Sequence, residues 1–174
     1  MIDNELMIEA TFLAYAPTKL EQLAARVATC LDTLTGDQIW FRSSANSNSV
    51  GNLVLHLGGN VRQWIGYGVG HLPDIRTRDT EFAARGGLST GELKQLLGTV
   101  IAEATATIRT LEPEQLARPA SIQGYDLTVF EAIIHVIEHF SSHTGQIIYA
   151  AKLMTEKDFG FYNFPLKPEA DRTP

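Results

Sequence analysis

Apolar residues recur at helical intervals in four long segments of the chain, separated by stretches rich in glycine, proline and small polar residues. The first segment, residues 4–34, carries leucines and a valine spaced three, four or seven positions apart, with Pro17 in its middle. Proline lacks the backbone N–H and clashes with the preceding turn. This spacing therefore predicts one long helix that kinks or restarts at Pro17.

The second segment, residues 50–68, keeps a helical period although it contains Gly51, Gly58 and Gly59. Each glycine costs a helix up to about 1 kcal/mol relative to alanine. Either the helix is locally strained, or another backbone packs closely against it. We expect close packing.

The third and fourth segments each begin with the spacing of a capping box, in which a Ser or Thr and a Glu three residues later satisfy the first backbone amides of a helix. Ser89 with Glu92, and Thr128 with Glu131, have this spacing before runs of amphipathic period. Helices are therefore predicted from each box to about residue 112 and about residue 154.

The remaining stretches are connections and a tail. Residues 70–88 are predicted to form a long surface crossover, and residues 114–127 a mostly irregular return. Residues 156–174 contain several aromatic side chains that we expect to pack against the body. No convincing alternating strand pattern occurs, so the fold class is predicted to be all-α. The expected architecture is a single domain of residues 1–174, whose core of about residues 5–155 is a four-helix bundle with long crossover connections.

Composition excludes several classes of partner. The formal net charge is −6 and no cluster of Lys and Arg is longer than an isolated pair, so the chain lacks the positive surface that binding to phosphate backbones requires. Cys30 is the single cysteine, and the N-terminus has no pattern of a secretion signal, which favours a reducing cytoplasm. No apolar run approaches the roughly 20 residues that span a bilayer. We expect neither nucleic acid nor membrane as a partner.

Three of the five histidines lie on the fourth predicted helix. At 100° per residue, His135, His139 and His143 share one stripe about 80° wide. Side chains four positions apart have Cβ atoms about 5–6 Å apart, which lets two imidazoles bind one ion at about 2.0–2.1 Å. The spacing permits chelation, although many helices carry two such histidines by chance.

His56 lies in an apolar run of the second helix, with Asn52 and Asn60 four residues away on either side. In a bundle core this polar stripe must face polar partners, because an unsatisfied buried group costs on the order of 1–3 kcal/mol. The histidine stripe of the fourth helix is the obvious candidate. We therefore predict that His56, His139 and His143 supply three nitrogen ligands, with an open position for water or substrate as in catalytic metal sites.

The other polar residues expected to contact the ligands or line the pocket are His135, Asn52, Asn60 and Gln146. For His135 the alternative is a hydrogen bond to Glu131, and for Gln146 it is surface exposure. Any single histidine on an apolar helix face more often packs with one hydrogen bond than binds a metal. Four together are harder to satisfy without an ion, because a neutral imidazole supplies one donor and one acceptor. A pH-responsive histidine core without metal is a further alternative.

Three segments, in this order, resemble the DinB-like superfamily, and most closely its subfamily of bacterial proteins of unknown function. They are NSVGNLVLHLGGNVRQWI (48–65), RDTEF (78–82) and HVIEHFSSHTGQII (135–148). The resemblance covers about residues 5–165. It implies a four-helix bundle of DinB/YfiT type with a divalent metal bound by one histidine of the second helix and an i, i+4 pair on the last core helix. In this chain those positions are His56, His139 and His143.

The resemblance also bears on function. Members of the superfamily with assigned activities include metal-dependent transferases that use low-molecular-weight thiols, and others are hydrolases or isomerases. What it implies here is a metal-dependent enzyme, a thiol-dependent transferase or a hydrolase, that acts on a small molecule and forms a homodimer. Three imidazoles suit Zn²⁺ or Ni²⁺ as the ion. No catalytic residue is assigned. The alternative is a non-catalytic, metal-stabilised binding or stress-response module.

Overall fold

The described part of the chain is mostly helical. The structure is a computed structural model that describes residues 4–161, with side chains from residue 7 onward. None of the described helices combines the length and the hydropathy needed to cross a membrane. In chain order the elements are α1 (Asn4–Leu31), α2 (Gly36–Trp40), α3 (Val50–Val61), a π-helical stretch (Arg62–Val69), α4 (Arg78–Ala83), α5 (Thr90–Arg109), a 3₁₀ turn (Pro113–Ala117), β1 (Pro119–Ile122), β2 (Tyr125–Thr128) and α6 (Val129–Thr155).

The four long helices form a bundle with crossed connections. α1 packs against α5 and α6, and α3 packs against the same two helices. α1 and α3 therefore lie diagonally across the core, as do α5 and α6. The chain crosses the bundle twice, through residues 32–49 and 110–128. The predicted all-α four-helix bundle with long crossover connections is confirmed for the described residues.

α1 continues through Pro17 without a restart. A proline inside a helix costs about 3 kcal/mol or more, because one backbone hydrogen bond is lost and the ring clashes with the preceding turn. Leu13 and Leu20, one turn to either side, are buried, and burying a leucine contributes about 1.5–3 kcal/mol. The apolar stripe that holds α1 against the bundle therefore outweighs the break that Pro17 favours.

The prediction of an irregular return over residues 114–127 is wrong, because this segment contains a two-stranded antiparallel sheet. β1 and β2 are joined at Gln123-Gly124, where both residues have positive φ, the conformation that matches the twist of paired strands. Each strand has four residues, and of their side chains only that of Ile122 is fully buried, against Gly68. Strands this short and this exposed leave no alternating pattern to recognise.

The glycines of α3 are sites of close approach, as expected, but side chains rather than backbone approach them. A Cβ atom at Gly51 would lie 2.8 Å from the ring of Trp40, and one at Gly58 would lie 2.7 Å from a leucine side chain. A Cβ atom at Gly59 would lie 1.9 Å from the carboxylate of Glu81. The absence of a side chain at Gly59 therefore makes room for a buried acid beside α3.

Replacing Gly59 by alanine is expected to lower the free energy of unfolding by about 1–3 kcal/mol, the usual cost of overpacking, because the added methyl displaces Glu81. Gly98 in α5 is the matched control, since it is exposed and nothing lies within 4 Å of a Cβ placed there. Gly98→Ala should raise the same free energy by about 0.5–1 kcal/mol. Urea unfolding followed by circular dichroism measures both. Equal stabilisation by the two substitutions would contradict the close approach at Gly59.

The start of the aromatic tail lies against the body. Phe159 and Phe161 have ring centroids 5.5 Å apart, and both pack against the core. The guanidinium carbon of Arg26, in α1, lies 5.6 Å from the centre of the Phe161 ring. The other aromatic residues of the predicted tail, Tyr162 and Phe164, lie outside the described residues.

Candidate metal centre

Three histidines from two core helices meet at one place in the bundle. His56 lies on α3, and His139 and His143 lie on α6. The ring centroid of His56 is 4.9 Å from that of His139 and 5.1 Å from that of His143, and the last two are 4.5 Å apart. One nitrogen of each ring lies within 4.8 Å of the others. The structure thus brings together the three residues predicted as metal ligands.

The apolar periods of the two helices place these rings. α6 turns Val136, Phe140 and Ile147 into the core, so that His139 and His143 lie at the edge of its buried stripe and are half-buried. His56 lies within the buried face of α3 and is 5% exposed. The cluster is therefore closed on the α3 side, and solvent reaches it along α6.

Glu81 of α4 holds the ring of His56 by its other nitrogen. Oε2 of Glu81 lies 2.9 Å from Nδ1 of His56, while Nε2 of His56 lies 3.0 Å from Nε2 of His139. Nη2 of Arg76 also lies 3.1 Å from this Nδ1, and it donates to Oε2 of Glu81 at 2.8 Å. An ionised carboxylate can only accept, so we assign a proton to Nδ1 of His56, which donates it to Glu81. This assignment leaves the Nε2 lone pair of His56 directed at the shared point. A carboxylate behind the ring is the usual support of a metal-binding histidine.

Arg76 keeps Glu81 ionised. Its Nε and Nη2 donate to Oε1 and Oε2 of Glu81, both at 2.8 Å. The side chains of Arg76 and Glu81 are only 4% and 9% exposed. Burial by itself raises the pKa of Glu81, but hydrogen bonds from Arg76 and His56 outweigh it and hold the pKa below its usual 4.5. Glu81 is thus available as an acceptor for His56 throughout the neutral range.

His139 is held neutral by its surroundings. Burial, followed by the nearby charges of His143 and His56, lowers the pKa of His139 from 6.5 to about 3. Its Nδ1 is buried and has no hydrogen-bond partner among the described residues, while its Nε2 faces His56. A neutral imidazole keeps a lone pair on one ring nitrogen, which is the form that binds a metal.

Gln146 orients the third histidine. Its Oε1 lies 2.9 Å from Nδ1 of His143, so Nδ1 donates this hydrogen bond and the Nε2 lone pair stays free. Burial lowers the pKa of His143, the hydrogen bond to Gln146 opposes this effect, and the nearby His56 adds to the lowering. All three rings can therefore offer a neutral nitrogen to one point, and this donor set fits a divalent ion such as Zn²⁺ or Ni²⁺.

His135 lies one turn from His139 and outside the cluster of three. Its ring stacks on Trp64 of the π-helical stretch with centroids 3.7 Å apart, and its centroid is 5.7 Å from that of His139. Glu131, the alternative partner, instead accepts hydrogen bonds from the amide and hydroxyl of Thr128 in the capping box of α6. The observed contacts of His135 are thus with the rings of Trp64 and His139.

Asn52 does not face the histidines, contrary to the predicted stripe. Its amide nitrogen donates to the carbonyl oxygens of Glu81 at 2.8 Å and Ala84 at 2.9 Å, and its Oδ1 accepts from the backbone amide of Ser49. Asn52 thus ties α4, and with it Glu81, to the first turn of α3. Asn60 is buried, and its Oδ1 has no hydrogen-bond partner among the described residues.

Arg76 and Glu81 are the site residues that the sequence pattern does not single out. Both lie in the connection 70–88, 20 and 25 residues after His56. The prediction of a surface crossover there is wrong, because this connection joins the neighbouring helices α3 and α5 and contains α4. The RDTEF segment contains Glu81, but local spacing says nothing about which ring this acid reaches. Gly59 is the one signal, since it indicated a close approach to α3 without identifying what approaches.

The metal-free protein is expected to lose stability as the pH falls below about 6.5. Unfolded histidines take up protons near pH 6.5, whereas folded His139 resists protonation until about pH 3, so the unfolded chain binds more protons in between. The contribution of neutral His139 to the free energy of unfolding is therefore fully present above about pH 6.5 and declines below it. The measurement is the urea concentration at the unfolding midpoint, with a chelator present, from about pH 7.5 to about pH 5. Exposed carboxyl groups titrate below this range and do not contribute to the change.

The pH test has two matched variants. His139→Gln should make the decline shallower, and the remainder comes from His143 and His135, because burial lowers the pKa of both. The exposed His71, changed to Asn because its φ is 58°, should leave the decline as it is. A midpoint that does not change with pH in the unsubstituted protein would contradict a neutral buried His139.

Comparisons with known proteins agree on the fold. Residues 7–167 match the model of a family described as "Protein of unknown function (DUF1572)". No curated protein matches the chain. A crystal structure of a DinB-like protein (YjoA) from Bacillus subtilis superposes with a TM-score of 0.66 and 17% sequence identity, covering 85% of this chain and 96% of that one. A DinB-like protein from Bacillus cereus gives a TM-score of 0.64 and 14% identity, covering 77% of this chain and 87% of that one. At such identities the likeness shows the fold, and the predicted DinB-like resemblance is confirmed.

Proposed function

The chain belongs to the DUF1572 family, a DinB-like family, and we propose that it is a metal-dependent enzyme in which His56, His139 and His143 hold one divalent ion. One observation carries the proposal, namely the convergence of three ring nitrogens within 4.8 Å. A closed structural zinc site uses four protein ligands, whereas three leave a position for water or substrate. Among the described residues no other such group of His, Cys, Asp and Glu occurs.

The residues around the cluster have distinct roles in this proposal. A divalent ion bound here would act as a Lewis acid, lowering the pKa of a water or thiol that reaches it. Glu81 and Gln146 hold His56 and His143 with their Nε2 lone pairs free, and Arg76 keeps Glu81 ionised. The half-buried edge of α6 is the side from which a small substrate can enter.

The proposed reaction is either the transfer of a low-molecular-weight thiol to an electrophile or a hydrolysis, because a Lewis acid can activate the nucleophile of both. Zn²⁺ and Ni²⁺ are the proposed ions, since neutral imidazoles suit both. His135, which is half-buried and stacked on Trp64, is a side chain next to the cluster that a substrate entering along α6 would meet.

Metal analysis followed by an activity screen tests the proposal. Protein purified without chelator should contain about one equivalent of Zn or Ni, the stoichiometry of a single three-histidine site. It should then conjugate small thiols to electrophiles or hydrolyse activated esters, and lose this activity when the ion is chelated. Absence of metal, with none taken up on addition, would overturn the proposal. Tight metal binding that raises the unfolding midpoint but supports no turnover would favour the non-catalytic module.

A further inference from the structure

A cavity of about 810 Å³ lies on the α5 side of α3, away from the histidine cluster. Its walls come from α3 and the π-helical stretch, from α5, and from residues 72–77. The three clustered histidines do not line it, but Arg76 and Glu81 do. The cavity and the candidate metal centre therefore lie back to back, with this ion pair as their shared wall.

The lining of the cavity is largely apolar, and one glycine leaves part of it open. Gly58 and Gly59 of α3 and Gly66 of the π-helical stretch lie in the wall. The space beside the first two is taken by Leu96 and Glu81, whereas a Cβ atom at Gly66 would meet only Leu72, at 3.6 Å. Leu72 and Ile75 stand at the rim and are 56% and 79% exposed. The other large apolar side chains of the wall are Leu55, Val61, Leu96 and Val100.

The charged side chains of the wall are paired with one another or with amides. Arg62 lies 3.4 Å from Glu103, and Arg76 is bound to Glu81. Asp74 accepts hydrogen bonds from the side chain of Gln63 and from the backbone amide of Arg76. No charge in this wall therefore calls for a charged ligand.

We propose that this cavity is a second binding site, which takes a neutral and largely apolar small molecule. Its volume is within the range of about 300–1,000 Å³ typical of small-molecule sites, and such sites are mostly apolar with few polar groups. A second copy of the chain fits less well, because the recess is lined by several separate segments of this chain and its volume is that of a small-molecule site. Since Arg76 and Glu81 contact both the cavity and His56, occupancy changes the surroundings of the His56 ring. The site needs no metal and is independent of the proposed reaction.

The neutral fluorophore N-phenyl-1-naphthylamine, whose emission rises in apolar surroundings, is the probe for this site. The full chain should bind it saturably, at about one molecule per chain, with or without a chelator. Gly66→Leu should weaken the binding at least about tenfold, because a Cβ there meets only Leu72 at 3.6 Å and the longer side chain enters the cavity. Gly98→Leu, on an exposed face of α5 with nothing within 4 Å, is the matched control and should change it less than about twofold.

The folding of the variants, the histidine spectra and the oligomeric state are measured as well. Circular dichroism checks whether both variants fold. If Gly66→Leu does not fold, Leu55→Trp is used as a second variant that fills the cavity. Probe binding should shift the ring signals of His56 in ¹⁵N-histidine spectra more than those of exposed His71, and equal shifts would overturn the shared wall. Absence of saturable binding, or equal loss in Gly66→Leu and Gly98→Leu, would overturn the site. Size-exclusion chromatography measures the oligomeric state. If the unsubstituted chain is a dimer that does not bind the probe, and Gly66→Leu is a monomer, the recess is instead an interface between two copies of the chain.

Discussion

Replacing His139 by alanine is expected to reduce the bound metal from about one equivalent to less than about a tenth of one, because only two ligands remain where a catalytic site needs three. His139 is the histidine whose Nε2 faces that of His56 at 3.0 Å, and its neighbour on the same stripe, His143, is only 4.5 Å away between ring centroids. Its loss therefore removes the middle of the donor set. Elemental analysis of protein purified without chelator measures the result.

Two other histidines provide the controls for His139→Ala. His135→Ala removes a ring that is half-buried and on the same stripe, yet outside the cluster, so the metal should stay bound. His71→Asn changes an exposed histidine between the π-helical stretch and α4 and should also leave the metal in place. Full metal content in His139→Ala, or equal loss in His135→Ala, would show that the three-histidine assignment is wrong.

Removing Arg76 alone is expected to lower the free energy of unfolding by about 3–5 kcal/mol, because it leaves the buried carboxylate of Glu81 without its charge partner. The ion pair at the surface formed by Arg109 and Glu21 is the control, since its side chains are 53% and 47% exposed. Arg109→Ala should cost less than about 1 kcal/mol. Urea unfolding in the presence of a chelator measures both free energies. Similar losses of stability in Arg76→Ala and Arg109→Ala would contradict the burial of the Arg76–Glu81 pair.

The double variant Arg76→Met with Glu81→Leu separates stability from metal affinity. Replacing a buried pair by apolar residues of similar volume is often neutral or stabilising, so most of the stability lost in Arg76→Ala should return. The metal affinity should still fall by about 10–100-fold, because His56 has lost the carboxylate that fixes its proton on Nδ1. Titration with Zn²⁺ measures the affinity, and ¹⁵N spectra of metal-free protein report the tautomer. If the Zn²⁺ affinity and the His56 tautomer are both unchanged, Glu81 does not orient His56 for metal binding.

Much of the fold is local in origin and can be predicted from the chain alone. The capping boxes at Ser89 and Thr128 form as predicted, with side-chain and backbone bonds in both directions, because they depend only on residues three positions apart. The helical periods place the long helices for the same reason. The hairpin at 119–128 is the counterexample, since it is held by Ile122 against Gly68, 54 positions earlier in the chain, and no local signal reports such a contact.

In the candidate site, too, some features follow from local spacing and others do not. Helical spacing puts His139 and His143 on one stripe whatever the tertiary structure is, and polar residues within the apolar run of α3 indicate that His56 has a polar partner. Asn52 shows the limit of that reasoning, because it belongs to the same apparent stripe but binds Ser49 and the carbonyl oxygens of α4. A polar residue in a core predicts that a partner exists and does not say which one.

The helices, the histidine stripe and the need of His56 for a polar partner can all be read from the chain, because each follows from intervals of three or four residues or from the cost of burying a lone polar group. Which groups meet His56, and how its ring is held, depend on contacts between residues far apart in the chain. Arg76 and Glu81 reach it from a connection without periodic pattern, and they can do so because Gly59 leaves room beside α3. A contact between a loop and a helix depends on the path of the loop in space, and no repeat in the chain records that path.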